Sequence, residues 1–184
     1  MDNEPQKWKE LSRKRVYENP YRNIEEVEFE LPDGKKKKFS LLDEHSGTSV
    51  LALTQDNRVI LTREFRPGPQ KTFYELPGGI IDEGEDAIAS ARRELLEETG
   101  YEAKKMEFIT DVYLHAYSSN KSSVLVATGC EKVADQNTDE GEFIEVVLKP
   151  VDELRVMLAS GGMRNIEAIY LGLDHLGLLE SRKP

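Results

Sequence analysis

The chain has 184 residues, of which 33% are charged and 38% hydrophobic, a balance typical of a folded globular protein rather than a disordered one. Its 25 Lys and Arg residues stand against 35 Asp and Glu, so the formal net charge is −10, which excludes the general attraction behind non-specific nucleic-acid binding. A phosphate-bearing substrate would therefore need a local cation, either a divalent metal ion or a few placed arginines.

Cysteine content and hydropathy indicate the compartment. Cys130 is the only cysteine in the sequence, so no intrachain disulfide can form. No apolar run approaches the ~20 residues that a membrane-spanning helix needs, and residues 1–15 are polar and charged, unlike a signal peptide. We therefore expect a cytoplasmic protein that has neither a membrane nor DNA as a partner.

The N-terminal part of the sequence predicts a hairpin. Residues 26–31 alternate between polar and apolar side chains, which is the period of a half-buried strand. The Pro-Asp-Gly sequence at 32–34 is typical of a turn, and a lysine run then leads into a second apolar segment at 39–42. Lysines beside a turn are typical of a solvated sheet edge. We expect residues 1–46 to form a small antiparallel β extension and residues 47–184 to form the main domain.

The rest of the chain predicts an α/β fold with a mixed sheet, because strand-like and helical periodicities follow one another. Strands are predicted at residues 49–54, 58–63, 72–76, 107–113, 122–130 and 143–148. Helices are predicted at residues 85–99, 151–159 and 166–179. Gly100 follows the first of these helices, at a position where a helix C-terminus favours glycine.

The first predicted helix carries the residues that indicate chemistry. Glu94 lies three and four positions before Glu97 and Glu98, so the three carboxylates share one helix face. Their mutual repulsion favours a bound cation, and Mg²⁺ prefers carboxylate, water and phosphate oxygens. Arg93 can pair with Glu97 on the next turn, and the glycine-rich segment at 77–79 lets the backbone approach a ligand. An ordinary solvated acidic face is the alternative interpretation.

The spacing of these residues resembles the signature of the Nudix hydrolase family. Gly79 is followed after five residues by Glu85, and after seven more by the run Arg-Glu-apolar-x-Glu-Glu-x-Gly at 93–100. Tyr101 departs from the aliphatic residue that usually follows. The segments at residues 31–34, 63–66, 75–79 and 140–146 are similar to the branch of ADP-ribose pyrophosphatases and nucleoside diphosphate sugar hydrolases.

The resemblance implies an α/β/α sandwich with a mixed sheet. It also implies metal-dependent hydrolysis of the pyrophosphate bond of nucleoside diphosphate sugars such as ADP-ribose, giving a nucleoside monophosphate and a sugar phosphate. Mg²⁺ is the implied cofactor, with Mn²⁺ as the alternative. A homodimer is implied as well, in which the N-terminal extension packs on the partner.

Two other functions stay open at this point. Residues 114–120 lack the proline that ADP-ribose specialists often have, and Tyr117 in that segment is reminiscent of dinucleoside polyphosphate hydrolases. A non-catalytic Nudix ligand sensor is the second alternative. The complete set of signature carboxylates favours an enzyme.

The resemblance implies a role for each site residue by its position. The implied metal ligands are the Gly78 carbonyl, Glu94, Glu97, Glu98 and Glu142. The implied catalytic residues are Arg93 and the base that activates water, which is Glu140 or, as the alternative, Glu98. For the loop that carries Glu140 and Glu142, a solvated turn is the competing interpretation.

The substrate contacts are implied in the same way. They are Arg63, Arg66, Gly79, Tyr17, Tyr21, His115 and Tyr117. The two arginines would contact phosphate or ribose, since a guanidinium can donate two parallel hydrogen bonds to phosphate oxygens. Tyr17 and Tyr21 would stack on a base across a dimer interface, and His115 and Tyr117 would contact the substrate. Surface charge for the arginines and packing for the tyrosines and His115 are the competing interpretations.

Overall fold

The computed structural model of the chain describes residues 6–19 and 22–179. These residues form two compact units. The N-terminal unit contains the described residues up to His45 together with Tyr113–Lys121, and the core unit contains Ser46–Val112 and the described residues from Ser122 onward. In the part of the chain so described, no helix is both long enough and apolar enough to cross a membrane.

The N-terminal unit contains a three-stranded antiparallel sheet, ordered β1 (Lys9–Asn19), β2 (Arg22–Glu30) and β3 (Lys36–Leu42). The predicted hairpin is confirmed as β2 and β3, in which Val27 is the register partner of Phe39. Val27 is fully buried. The alternation that predicted this hairpin therefore reflects a real inner face.

Strand β1 was missing from the prediction. Almost all of its side chains are exposed, so no alternation of polar and apolar residues marks it in the sequence. Backbone pairing with β2 holds it in place. Ion pairs across the sheet add to this, among them Arg13 with the buried Glu25 and Arg15 with Asp43.

The core unit contains a mixed seven-stranded sheet. Its main path runs β10-β5-β4-β9-β7, with β6 paired to β5 and β8 paired to β9. Strands β4 and β9 are parallel and the other neighbours are antiparallel. The strands are β4 (Gly47–Thr54), β5 (Arg58–Arg66), β6 (Lys71–Glu75), β7 (Tyr101–Glu102), β8 (Lys105–Val112), β9 (Ser122–Lys132) and β10 (Glu145–Pro150).

Helices cover both faces of this sheet, which confirms the predicted α/β/α sandwich. Helix α1 (Ala87–Thr99) packs on one face, and helices α2 (Val151–Ala159) and α3 (Ile166–His175) pack on the other. Strand β4 is buried on both sides as a result, with Val50 directed to α1 and Leu51 to the opposite layer. A strand enclosed in this way consists of apolar residues without alternation.

The helix ends follow from capping chemistry. Helix α1 begins after Asp86, whose Oδ1 accepts hydrogen bonds from the N–H groups of Ile88 (2.9 Å) and Ala89 (2.8 Å). It ends at Gly100, which has φ 74°, as predicted. Helix α3 ends at His175, four residues earlier than predicted, because Gly177 turns the chain with φ 67°.

Candidate active site

The glycine-rich turn at residues 77–79 lies between β4 and α1. The carbonyl of Pro77 accepts a hydrogen bond from the N–H of Val50 (2.9 Å), and that of Gly79 accepts one from Thr48 (2.8 Å). Gly78 has φ 151°, and a Cβ there would lie 2.2 Å from the Thr48 carbonyl oxygen. Only glycine fits this position, because any side chain would collide with the backbone of the central strand.

The same turn contacts two of the predicted metal-ligating glutamates. The N–H of Gly78 donates a hydrogen bond to Oε2 of Glu98 (3.0 Å). A Cβ on Gly79 would lie 2.4 Å from Oε1 of Glu94, so the missing side chain makes room for that carboxylate. The structure thus brings together β4, the turn and the inner face of α1.

Arg93 holds the outer carboxylates of the helix. Its Nη1 donates to Glu94 Oε1 (2.8 Å) and to Glu97 Oε2 (3.1 Å), and its Nε and Nη2 donate to Glu85 (3.2 and 3.1 Å). Its Nη2 also donates to the Ile80 carbonyl (3.1 Å). The hydrogen bonds that Arg93 donates to Glu85 are the largest cause that raises the pKa of Arg93 above its ordinary value. Arg93 therefore stays charged and can position carboxylates, but it cannot exchange a proton near neutral pH.

Glu98 is the most buried of the signature carboxylates, with 7% of its surface exposed. Burial raises its pKa to about 8, the Gly78 N–H opposes that rise, and the charges of Glu94, Glu142 and Glu64 add to it. Burial also raises the pKa of Glu94 and of Glu64. Glu64, Glu94, Glu98 and Glu142, called the carboxylate group below, thus act on one another, and the charge of one disfavours the ionisation of the next. Glu64 was missed by the sequence prediction, although its place two residues before Arg66 puts it on the same strand face.

The carboxylate group has the chemistry of a divalent-cation site. The ligand atoms that these four side chains offer are all oxygens, which Mg²⁺ prefers. A bound Mg²⁺ ion would also relieve the repulsion among the carboxylates. Within the described residues, no hydrogen-bond donor reaches the Gly78 carbonyl oxygen. The carbonyl oxygens of Pro77 and Gly79, on either side of it, accept hydrogen bonds from β4. Across the described part of the chain, no three Asp, Glu, His or Cys side chains already form a coordinating group. The positive charge beside Glu94 and Glu97 is the guanidinium of Arg93, which forms an ion pair with each of them.

The acidic loop after β9 is attached to the end of α1. The N–H of Asn137 donates to the Glu97 carbonyl (2.8 Å), and Gln136 Nε2 donates to the Glu98 carbonyl (2.7 Å). Glu142 is among the main charges that raise the pKa of Glu94 and Glu98, and Glu140 is not. The charge of Glu142 therefore acts on Glu94 and Glu98. Both Glu140 and Glu142 are exposed, and Oε2 of Glu142 accepts a hydrogen bond from the N–H of Asp139 (3.2 Å).

The two predicted substrate-binding arginines lie on opposite faces of β5. Arg66 shares a face with Glu64 and forms a bidentate pair with Glu75, at 2.7 and 2.8 Å. Arg63 pairs instead with Glu145 (2.9 Å) and lies over the ring of Tyr74 (5.7 Å). Side chains three residues apart on a strand point to opposite sides, so the structure brings Arg66 to the carboxylate group and Arg63 away from it.

The remaining predicted substrate contacts belong to the N-terminal unit. Tyr17 is 51% exposed and its hydroxyl accepts a hydrogen bond from Asn19 (3.0 Å). His115 is exposed, and Tyr117 stacks on Phe39 with ring centroids 6.2 Å apart. Tyr21 lies outside the described residues. The sequence did not predict that Phe39 also packs against Trp8, at 5.4 Å between centroids, which makes an aromatic cluster in this unit.

Comparisons with known proteins concern the sequence and the fold of the chain. The model of the NUDIX domain matches residues 43–169. The chain is 29% identical over 182 residues to the ADP-ribose pyrophosphatase of Bacillus subtilis (strain 168), covering 94% of each chain. It is 34% identical over 110 residues to the ADP-sugar pyrophosphatase of Mus musculus, covering 56% of this chain and 50% of that protein. The crystal structure of an ADP compounds hydrolase has the same fold, with a TM-score of 0.81, 24% identity and coverage of 97% and 100%.

Proposed function

The chain belongs to the NUDIX family, and from that premise we propose that it hydrolyses the pyrophosphate bond of nucleoside diphosphate sugars such as ADP-ribose. The products are a nucleoside monophosphate and a sugar phosphate. The observation that carries the proposal is the contact of the glycine-rich turn with Glu94 and with the buried Glu98. The named activities of the relatives from Bacillus subtilis and Mus musculus support the substrate class.

A divalent cation is the cofactor in this proposal, with Mg²⁺ first and Mn²⁺ as the alternative. Its ligands are the Gly78 carbonyl, Glu94, Glu97 and Glu98, with Glu142 in addition. When bound, such an ion neutralises phosphate charge and lowers the pKa of a water molecule. Arg93 keeps the outer carboxylates oriented through its bonds to Glu94 and Glu97.

Two carboxylates are the candidates for the base that takes a proton from water. Glu140 lies on the exposed turn, and a base in such a loop can reach its substrate only in the bound state. Glu98 is buried beside the glycine-rich turn, and a divalent cation bound there would keep its carboxylate charged and able to accept a proton. Substitution by Gln distinguishes the two candidates, because Glu140→Gln should lower kcat without changing Mg²⁺ affinity, whereas Glu98→Gln also removes a metal ligand.

Arg66 contacts the phosphates in this proposal, since its guanidinium is fixed by Glu75 beside the carboxylate group. Gly79, whose missing side chain makes room for the Glu94 carboxylate, is a proposed backbone contact for the substrate. Tyr17, His115 and Tyr117 are proposed contacts for the base or sugar. We further propose a cytoplasmic homodimer that associates through the N-terminal unit. Partly exposed Trp8, Val16 and Tyr17 supply an apolar surface for that contact.

The test is incubation of the protein with Mg²⁺ and a panel of ADP-ribose, GDP-mannose, UDP-glucose and diadenosine polyphosphates, followed by separation of the products. A mononucleotide plus a sugar phosphate, formed only when divalent cation is present, is the expected result. Cleavage confined to the diadenosine compounds would assign the alternative substrate class. Activity that persists in excess EDTA would contradict the metal role, and light scattering at the monomer mass would contradict the dimer.

A further inference from the structure

A buried carboxylate at the end of β6 holds two arginines. The side chain of Glu75 is 4% exposed. Arg66 donates to it through Nε (2.7 Å) and Nη2 (2.8 Å), and Arg164 donates through Nη1 to both oxygens (3.2 and 3.0 Å). A carboxylate offers about four acceptor positions, and these contacts use all of them. Glu75 is therefore an anchor for the two guanidinium groups, with no acceptor left for a metal ion or a water proton.

The two arginines, called the arginine pair below, have hydrogen-bond donors to spare. A guanidinium carries five N–H donors. Within the described residues, Nη1 of Arg66 and both Nε and Nη2 of Arg164 have no acceptor. The side chains are 35% and 46% exposed, respectively. Their charged groups are thus fixed at one end and open to a ligand at the other.

The backbone that leads into Arg164 is tied to β6 on both sides of Met163. The Gly162 carbonyl accepts a hydrogen bond from the N–H of Tyr74 (3.0 Å), and the N–H of Arg164 donates to the Tyr74 carbonyl (3.0 Å). Met163 between them is 4% exposed. This short segment is therefore an added strand-like partner of β6, and it presents Arg164 at a defined place.

Asn165 fixes the segment further, in a conformation that few residues adopt. Its backbone lies in the left-handed region with φ 53° and ψ 36°. Its side chain accepts a hydrogen bond from the N–H of Leu76 (3.2 Å) and donates one to Ser49 Oγ (3.0 Å). Asn adopts this region more readily than most residues, and its two side-chain hydrogen bonds fix the backbone directly after Arg164.

The arginine pair adjoins the carboxylate group. Nη2 of Arg66 lies 3.0 Å from Oε2 of Glu64, and Glu75 holds Arg164 beside Arg66. Two guanidinium groups with free donors therefore lie beside four carboxylates that suit a cation. A group with several anionic oxygens can contact both, because arginine donors match phosphate oxygens and the cation contacts the remaining ones.

We propose that Arg164 binds the pyrophosphate of the substrate together with Arg66, and that Glu75 positions both. This inference rests on the proposed function for the identity of the substrate. The site itself requires only an anion with the geometry of a phosphate ester. The pairing of the two arginines on one buried carboxylate holds them at a fixed separation, so that the ligand does not have to order two long side chains on binding.

The experiment compares wild-type protein with Arg164→Ala, Arg164→Lys and a control, Arg58→Ala. Arg58 is an exposed arginine at the other end of β5 that donates to the Leu148 carbonyl (3.0 Å). Inorganic pyrophosphate is titrated calorimetrically in the absence of divalent cation, and kcat and KM for ADP-ribose are measured with Mg²⁺. Loss of a charge-assisted hydrogen bond should weaken pyrophosphate binding and raise KM by roughly tenfold or more in Arg164→Ala. Arg164→Lys should lose less pyrophosphate affinity than Arg164→Ala, since lysine keeps the positive charge but lacks the paired donors of the guanidinium. The control Arg58→Ala should match wild type.

The outcomes separate this inference from the proposed function. If pyrophosphate binds and Arg164→Ala weakens it, but ADP-ribose is not hydrolysed, the anion site stands and the proposed function fails. If ADP-ribose is hydrolysed with Mg²⁺ while both affinity and KM are unchanged in Arg164→Ala, the inference alone is overturned. Absence of pyrophosphate binding to the wild-type protein also overturns it. Should Arg164→Ala fail to fold, an unchanged affinity in Arg164→Lys has the same meaning.

Discussion

The backbone N–H of Gly78 donates a hydrogen bond to the carboxylate of Glu98, and the two residues thereby join the glycine-rich turn to the last turn of α1. Oε2 lies 3.0 Å from the amide nitrogen, and the carboxylate is buried. A buried carboxylate with one amide partner and three acidic neighbours is stabilised in its charged form only when a cation is added. A metal ion bound beside this pair of residues would therefore stabilise the charged form of the Glu98 carboxylate.

Replacing Glu98 by Gln should remove activity and preserve the fold. The amide oxygen can still accept the Gly78 hydrogen bond, but the neutral side chain cannot hold a cation or take a proton. We expect kcat for ADP-ribose to fall by roughly a hundredfold or more, with an unchanged circular dichroism spectrum. Glu140→Gln, which alters an exposed side chain, should lower kcat without changing Mg²⁺ affinity if Glu140 is the base. Near-normal turnover of Glu98→Gln would contradict the role of Glu98 altogether.

The stability of the metal-free protein should depend on pH through Glu98. Its pKa rises from the ordinary 4.5 to about 8 on folding, so the folded state keeps a proton that the unfolded state loses. The contribution of this group to stability is complete below about pH 4.5 and is lost as the pH rises toward about 8. Urea unfolding in EDTA, at both ends of this window, should show a smaller fall in stability for Glu98→Gln than for wild type. Equal falls would show that the carboxylate is already charged in the metal-free fold.

Gly79→Ala should impair the site more than the fold. Its Cβ would lie 2.4 Å from Glu94 Oε1, and the carboxylate is the part that can move away. Displacement of a ligating group by about 1 Å can cost roughly a hundredfold in rate, so we expect a large loss of kcat and weaker Mg²⁺ binding with little change in Tm. Gly68→Ala is the matched control, because a Cβ at Gly68 meets nothing within 4 Å. Equal activities of the two variants would contradict the proposed role of Glu94.

Arg93→Lys should destabilise the helix face and lower kcat. Lysine keeps the charge but cannot donate to Glu85, Glu94 and Glu97 at once, as the guanidinium does. We expect a loss of about 1–3 kcal/mol in the free energy of unfolding. Arg92→Lys, one residue earlier, removes a single hydrogen bond to the Ala103 carbonyl and should cost less. Chemical denaturation of both variants measures the difference, and a smaller loss for Arg93→Lys would be the contrary result.

Local features of the chain were predictable from the sequence. The central strand β4 and the helix α1 follow from apolar runs and from helical periodicity, and the C-terminal glycine of α1 follows from capping chemistry. The convergence of Glu94 and Glu98 with the turn at 77–79 followed from helix geometry and from the family resemblance. The strand, the helix and its C-terminal glycine depend on residues close in sequence, whereas the contact of Gly78 with Glu98 joins residues 20 positions apart and was implied by the resemblance.

The features that escaped prediction depend on distant residues. Strand β1 is defined by pairing with β2 and shows no apolar pattern of its own. Glu75 and Arg164 are 89 positions apart, and no local signal links them. The raised pKa of Glu98 likewise comes from burial and from charges on other elements. Such relationships arise only once the chain is folded, so residue type and spacing do not encode them in a readable form.

Glu75→Gln separates two explanations of the arginine pair, because they predict opposite signs. If only charge matters, removal of a negative charge next to an anion site should strengthen pyrophosphate binding. If Glu75 positions the arginine pair, pyrophosphate binding should weaken. The NH₂ group of Gln is a donor and cannot accept a hydrogen bond from a guanidinium. Arg66 would then turn toward Glu64, whose Oε2 is already 3.0 Å from its Nη2.

We expect the second result, with roughly tenfold weaker pyrophosphate binding and a loss of about 1–3 kcal/mol in the free energy of unfolding. Titration calorimetry and urea denaturation measure the two quantities. The control is Glu145→Gln, which frees Arg63 on the opposite face of β5 in the same way and should leave pyrophosphate affinity unchanged. Tighter binding in Glu75→Gln would mean that the two guanidinium groups act as unpositioned charges.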